Sequence, residues 1–144
     1  MEFDDVIASL RGEFGAEGAA EGGAVVFAVA PEGGGPVEVS VSEMDDGASV
    51  LLCADVGEMP SGGGELMLRM LEANHLFAST GGATLSVDGG RVKLERYVGL
   101  AEFDRRDAAA VVEPFAAVAQ EWRGVVAAEA RSGREPRNLS GARV

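Results

Sequence analysis

Residues 65–99 read ELMLRMLEANHLFASTGGATLSVDGGRVKLERYVG, and this stretch decides the fold. Its first part, Glu65 to Phe77, carries apolar side chains at Leu66, Met67, Leu68, Met70, Leu71, Ala73, Leu76 and Phe77. Only a narrow polar stripe remains, through Glu65, Arg69 and Glu72. A helix resting on one sheet needs an apolar stripe of roughly 100°. This one has more, so a second surface is expected to cover the remainder, and the cover expected is another subunit. The helix ends at Ser79-Thr80-Gly81-Gly82, a strand follows at about 83–87, and Asp88-Gly89-Gly90 closes a tight hairpin onto Arg91 to Val98. In that last strand Val92, Leu94 and Arg96 share one face, and Lys93, Glu95 and Tyr97 the other.

Working outward, the chain before this stretch supplies a helix and three strands. Phe3, Val6, Ile7, Leu10 and Phe14 recur at helical spacing up to Gly15. Val25, Phe27 and Val29 alternate in a first strand, and Val37, Val39 and Val41 alternate with Glu38, Ser40 and Ser42 in a second, half wet and half buried. After Asp45-Asp46-Gly47 the run Ser49 to Val56 is almost continuously apolar and reads as an interior strand. Beyond the hairpin, Asp104 with Asp107 resembles an acidic N-cap arrangement. The long helix behind it repeats Val111, Phe115, Val118, Trp122 and Val125 at four-three spacing, with a kink expected at Pro114. The order is α-βββ-α-ββ-α: an α+β fold with a twisted antiparallel sheet packed by helices. Residues 1–131 are expected to be one domain, and Ser132 to Val144 a disordered tail.

A chain of 144 residues with 47% hydrophobic content supports one core. No stretch approaches the ~20 apolar residues of a membrane span. The acids of MEFDDVIASL stand where a signal or transit peptide needs bases, so a cytoplasmic protein is expected. Net charge is −12 and unevenly spread: residues 1–67 hold 14 acids and one base, Arg11, whereas residues 68–144 hold 10 acids and 11 bases. Such a field repels phosphate backbones and anionic lipid, which argues against nucleic-acid or membrane binding.

In its Leu66, Leu71, Asn74, Leu76 and Phe77, then Thr80-Gly81-Gly82-Ala83-Thr84-Leu85, then Asp88-Gly89-Gly90 with Val92 and Leu94, and finally Leu100, Phe103 and Asp104, the chain resembles class I type III secretion chaperones, the family named after the chaperone of the Tir effector. The resemblance implies a bacterial homodimer that binds the N-terminal segment of a secreted effector. It would keep that segment export-competent and deliver it to the export apparatus, including its ATPase. The dimer contact would fall on Leu66, Met67, Met70, Leu71 and Asn74. By position in the pattern, client strand addition would fall at Val25, Phe27 and Val29 of the first strand, and a client groove at Phe3, Ile7, Leu10 and Phe14. No nucleotide, metal or other cofactor is implied.

Other chemistry is poorly supported by the residues. Cys53 and His75 are the only thiol and imidazole, too few for a metal or nucleophile constellation, and read as a strand filler and a helix-end polar residue. Gly33-Gly34-Gly35 and Gly62-Gly63-Gly64 lack the Lys-Ser/Thr of a phosphate loop. Asp4-Asp5 and Asp45-Asp46 fit helix-start and turn preferences. Trp122 reads as core, while Met67 and Met70 are either core or an adaptable contact surface. A dimeric adaptor or regulator of the same fold, without a secretion role, is the competing reading; an enzyme is not expected.

Overall fold

In the computed structural model, which describes residues 2–15, 18–19, 23–32 and 34–134, the first helix α1 spans Phe3–Phe14. Its start is held by Asp5, whose Oδ2 accepts from the Glu2 amide at 2.9 Å. Asp4 and Asp5 favour the positive end of the helix and Arg11 the negative end. Val6, Ile7 and Leu10 form its buried face, and Gly15, at φ +76°, ends it.

The sheet contains β1 (Gly18–Ala19), β2 (Val25–Val29), β3 (Val37–Met44), β4 (Ser49–Glu58), β5 (Thr84–Asp88) and β6 (Arg91–Gly99). Their order is β1-β2-β3-β4-β6-β5, with every neighbour antiparallel. The expected α+β architecture is therefore present, with one strand more than the sequence pattern indicates. That strand, Gly18–Ala19, has no apolar alternation by which to be recognised. β4 is interior, as its apolar run implies, but its burial alternates. Val50, Leu52, Ala54 and Val56 face the core, while Leu51, Cys53 and Asp55 stand half-buried on the opposite face. Cys53 is thus a residue of the outer sheet face and not a core filler.

One face of the sheet packs against α1 and the long helix α4 (Ala108–Arg134). Phe27, Leu52, Leu94, Leu10, Phe115, Ala119, Trp122 and Val126 meet in that layer. α4 approaches β4 closely at Gly57. This glycine sits at φ +132° in a β-bulge between Asp55 and Gly57, and a Cβ there would stand 2.9 Å from Val126 Cγ1. α4 runs as one helix through Pro114. Its cap is Asp107, whose Oδ1 accepts from the Ala109 amide at 3.3 Å. Asp104 instead lies inside a separate short helix, α3 (Leu100–Arg105), which corrects the single-helix expectation for this region. α4 also carries Ser132 and Gly133, so these are not part of a tail; residues 135–144 lie outside the described residues.

Helix α2 (Gly64–Asn74) carries the chain from β4 past β6 to β5 at the sheet edge. It stops earlier than its apolar pattern suggests. His75–Phe77 form a 3-10 turn in which Leu76 and Phe77 adopt φ +58° and +55°. Beyond it, the buried Thr80 hydroxyl donates to the Ala83 carbonyl at 2.5 Å. Gly81 and Gly82 supply the positive φ values that a side chain would resist. Gly89 and Gly90, both at positive φ, make the two-residue β5–β6 hairpin.

Candidate functional site

The helix α2 divides its apolar residues between two environments. Leu66 is 0% and Met70 4% exposed, so both belong to the core of their own chain. Neither is available as a surface contact, which corrects their place in the expected interface. Met67, Leu68 and Leu71 point the other way and are 47%, 57% and 68% exposed. Leu76 and Phe77 on the following turn, Val87 on β5 and Tyr97 on β6 are exposed too. These large side chains therefore lie on the helix, on its terminal turn and on the two strands at that end of the sheet. Leu68, Val87 and Tyr97 are absent from the interface that the resemblance implies. Leu68 was legible in the surplus of apolar positions around the helix. Tyr97 was legible as a member of the wet face, but its exposure depends on what surrounds that face.

Asn74 is not a free contact either. Its Oδ1 accepts from the Leu85 amide at 2.8 Å and its Nδ2 donates to the Leu85 carbonyl at 2.9 Å. The side chain fastens the end of α2 to β5 and thereby sets the position of the exposed Met67–Leu71 surface.

At the opposite end, the proposed groove residues are drawn inward. Ile7 and Leu10 are buried, and Phe3 and Phe14 are partly buried against the same core. Phe27 and Val29 are fully buried and Val25 is packed against them. Four of these seven side chains are thus buried and three partly buried, as a helix of this amphipathicity packs its stripe on the nearest sheet. On the other face of β2, Val26 and Ala28 are half-buried. Gly18 and Ala19 of β1 pair with Val26 and Val25, while Phe27, Ala28 and Val29 have described partners only in β3.

Between these ends, the outer face of the sheet carries a shallow concavity of about 610 Å3, lined in part by Val26, Ala28, Ser40, Cys53 and Arg123. At its border Asp55 accepts from Arg91 Nε at 2.6 Å, from Lys93 Nζ at 3.1 Å and from the Gly57 amide at 2.9 Å. Partial burial alone would raise the Asp55 pKa, but these three donors outweigh it and hold the carboxyl at about 2. Asp55 in turn raises the Arg91 pKa through its hydrogen bond. Burial pushes the Cys53 thiol up, and the facing Glu95 adds to this against the opposing pull of Lys93. A thiol in that setting is a poor nucleophile. His75 is exposed at the end of α2, away from Cys53 on β4. Among the described residues, no group of three or more His, Cys, Asp or Glu is placed to hold a metal ion. Among them also, no helix is long and apolar enough to cross a membrane.

The fold is shared with solved structures. A chain in the crystal structure of the ExsC–ExsE complex superposes with a TM-score of 0.66 at 17% identity, covering 85% of this chain and 92% of that one. A chain in the structure of the Yersinia pestis type III secretion chaperone SycH, in complex with a stable fragment of YscM2, gives 0.61 at 10% identity over 85% and 97%. One from the heterodimeric ExoU–SpcU complex of the Pseudomonas aeruginosa type III secretion system gives 0.55 at 20% identity over 83% and 92%. No curated protein sequence matches this chain. Residues 22–123, from just before β2 to the second half of α4, match the model of the Tir chaperone protein (CesT) family, and the chain belongs to that family.

Proposed function

We propose that this chain is a cytoplasmic type III secretion chaperone that works by binding, without turnover. It holds the N-terminal segment of a secreted effector in an export-competent form and passes it to the export apparatus. Family membership over residues 22–123 carries this reading. The geometry supports it with two surfaces at opposite ends of one sheet. The exposed Met67, Leu68 and Leu71 suit pairing with a second copy, which would remove apolar area from water at roughly 25 cal/mol per Å2. The main chain on the β2 side suits an added client strand, because strand addition uses backbone donors and acceptors and leaves the buried Phe27 and Val29 in place.

The test is a pull-down with the full chain from its native host, with identification of the captured protein and of the protected segment. Capture of an exported protein through its N-terminal region supports the reading. Capture of a protein with no link to export would favour the adaptor reading instead. Client binding should persist in EDTA and without nucleotide, and a requirement for either would overturn the mechanism.

A further inference from the structure

The turn after α2 holds two adjacent large apolar residues, Leu76 and Phe77, in a conformation that L-residues resist. Among the described residues Asp45 is the one other non-glycine residue at positive φ, and aspartate tolerates that region far better. The turn is held from behind. The Phe77 carbonyl accepts from the Gly82 amide at 3.1 Å and from the Thr80 hydroxyl at 3.2 Å, and the Ser79 hydroxyl donates to the Ala73 carbonyl at 3.2 Å. None of these bonds uses the side chain of Leu76 or Phe77. Both side chains stand in water, 79% and 46% exposed, so the strained backbone presents apolar groups from which the core of the protomer gains little. The exposed side of α2 continues this surface. Gly64, Met67, Leu68 and Leu71 follow one another at helical spacing and all four are exposed. At the far end from the turn, Gly64 has open space around the point where a Cβ would stand.

We infer that a second copy of this chain docks here by a two-fold that sets the two α2 helices antiparallel, with the Leu76–Phe77 turn of each copy seated over Gly64 of the other. This rests on the self-pairing proposed above and assigns how the two copies fit. A surface with a projection at one end and a gap at the other is complementary to itself when turned end over end. With Leu68 of one helix over Leu71 of the other, the antiparallel register brings residues 75–77 of one copy opposite residues 62–64 of its mate. Glu65, Arg69 and Glu72 occupy the remaining strip of the helix, at the rim of the contact, so no charge is buried. The exposed large apolar residues among those described all fall between Met67 and Tyr97, which sets this end of the molecule apart. The five on α2 and its turn supply on the order of 500 Å2, a large share of the ~800 Å2 that each partner brings to a stable interface. The strain at Leu76 and Phe77 is then offset by association and not by the protomer.

The test is sedimentation equilibrium of the full chain, with circular dichroism to confirm the fold of each variant. Leu76→Asn removes the projection while keeping a residue that accepts positive φ, and Gly64→Met fills the gap. Each is expected to weaken self-association at least about tenfold while the protomer stays folded. Gly124→Met, at an exposed position of α4 with open space around the new side chain, should leave association unchanged. A wild-type dimer that both Leu76→Asn and Gly64→Met form as tightly overturns this fit, while self-pairing through other residues survives. Loss of association in Gly124→Met as large as in Gly64→Met overturns it as well. Should Leu76→Asn fail to fold, Gly64→Met against Gly124→Met decides. A wild-type chain that stays monomeric at micromolar concentration overturns both the fit and the self-pairing. Loss of client capture by a monomeric Leu76→Asn chain would then give this surface to the client, and the chaperone reading stands or falls on the segment captured in the pull-down.

Discussion

Asn74 holds both main-chain groups of Leu85, accepting from its amide at 2.8 Å and donating to its carbonyl at 2.9 Å. One side-chain amide thus does for β5 what a neighbouring strand would do. β5 is the last strand of the sheet, and an edge with free donors and acceptors invites unwanted pairing. Replacing Asn74 with Ala should leave the buried Leu85 with two unmet groups and cost about 1–3 kcal/mol. Urea unfolding would measure the loss, and hydrogen exchange should show the Leu85 amide losing protection more than Leu94 on β6.

Exposed and buried residues of α2 should respond differently to charge. Met67→Glu or Leu71→Glu is expected to weaken self-association at least about tenfold while the protomer stays folded. Met70→Glu should instead place an unpaired charge in the core and destabilise the protomer by several kcal/mol. Light scattering with circular dichroism separates the two effects. A wild-type chain that remains monomeric at micromolar concentration would sink the dimer proposal.

Acid should remove a part of the stability that passes through Asp55. Its carboxyl titrates at about 2 in the folded chain against an ordinary 3.8, so the unfolded chain takes up the proton first. The contribution is complete above the unfolded value and is lost as pH falls from about 4 to about 2. Asp55→Asn should flatten the urea midpoint against pH in that window. The change is modest, because the Asp55 carboxylate and its partners are partly exposed and screened by solvent.

Gly57→Ala should destabilise by about 1–3 kcal/mol. The new methyl would meet Val126 Cγ1 at 2.9 Å, at a φ of +132° that L-residues rarely adopt. Thermal unfolding would report it. Gly89→Ala, with open space around the new methyl, should show only the cost of its positive φ.

The Cys53 thiol should react with a thiol reagent at pH 7 more slowly than a free cysteine, since burial first and Glu95 second raise its pKa. Cys53→Ala is expected to fold and to keep client binding. Loss of all binding in a folded Cys53→Ala protein would reopen the question of thiol chemistry.

Periodicity within each element was readable from the residues alone. The alternation of Val37, Val39 and Val41, the stripe of Phe115 and Trp122, and the Asp88-Gly89-Gly90 turn each express a local rule that a few neighbouring residues satisfy. The surplus of apolar residues in α2 was equally plain, but which of them stay exposed was not. Leu66 and Leu71 are chemically alike, and only the direction from which β5 and the core approach the helix buries one and leaves the other at the surface. The same holds for Phe3, Ile7, Leu10 and Phe14, whose spacing marks an apolar face without saying what covers it. Asp55 lies more than thirty residues from Arg91 and Lys93 in the chain, and the β4–β6 register alone makes it their neighbour. Gly18–Ala19 carries no side-chain pattern, so its place beside Val25 and Val26 came from backbone pairing in the folded sheet. Local sequence sets which face of an element is apolar; the packing of elements distant in sequence sets which faces remain for a partner.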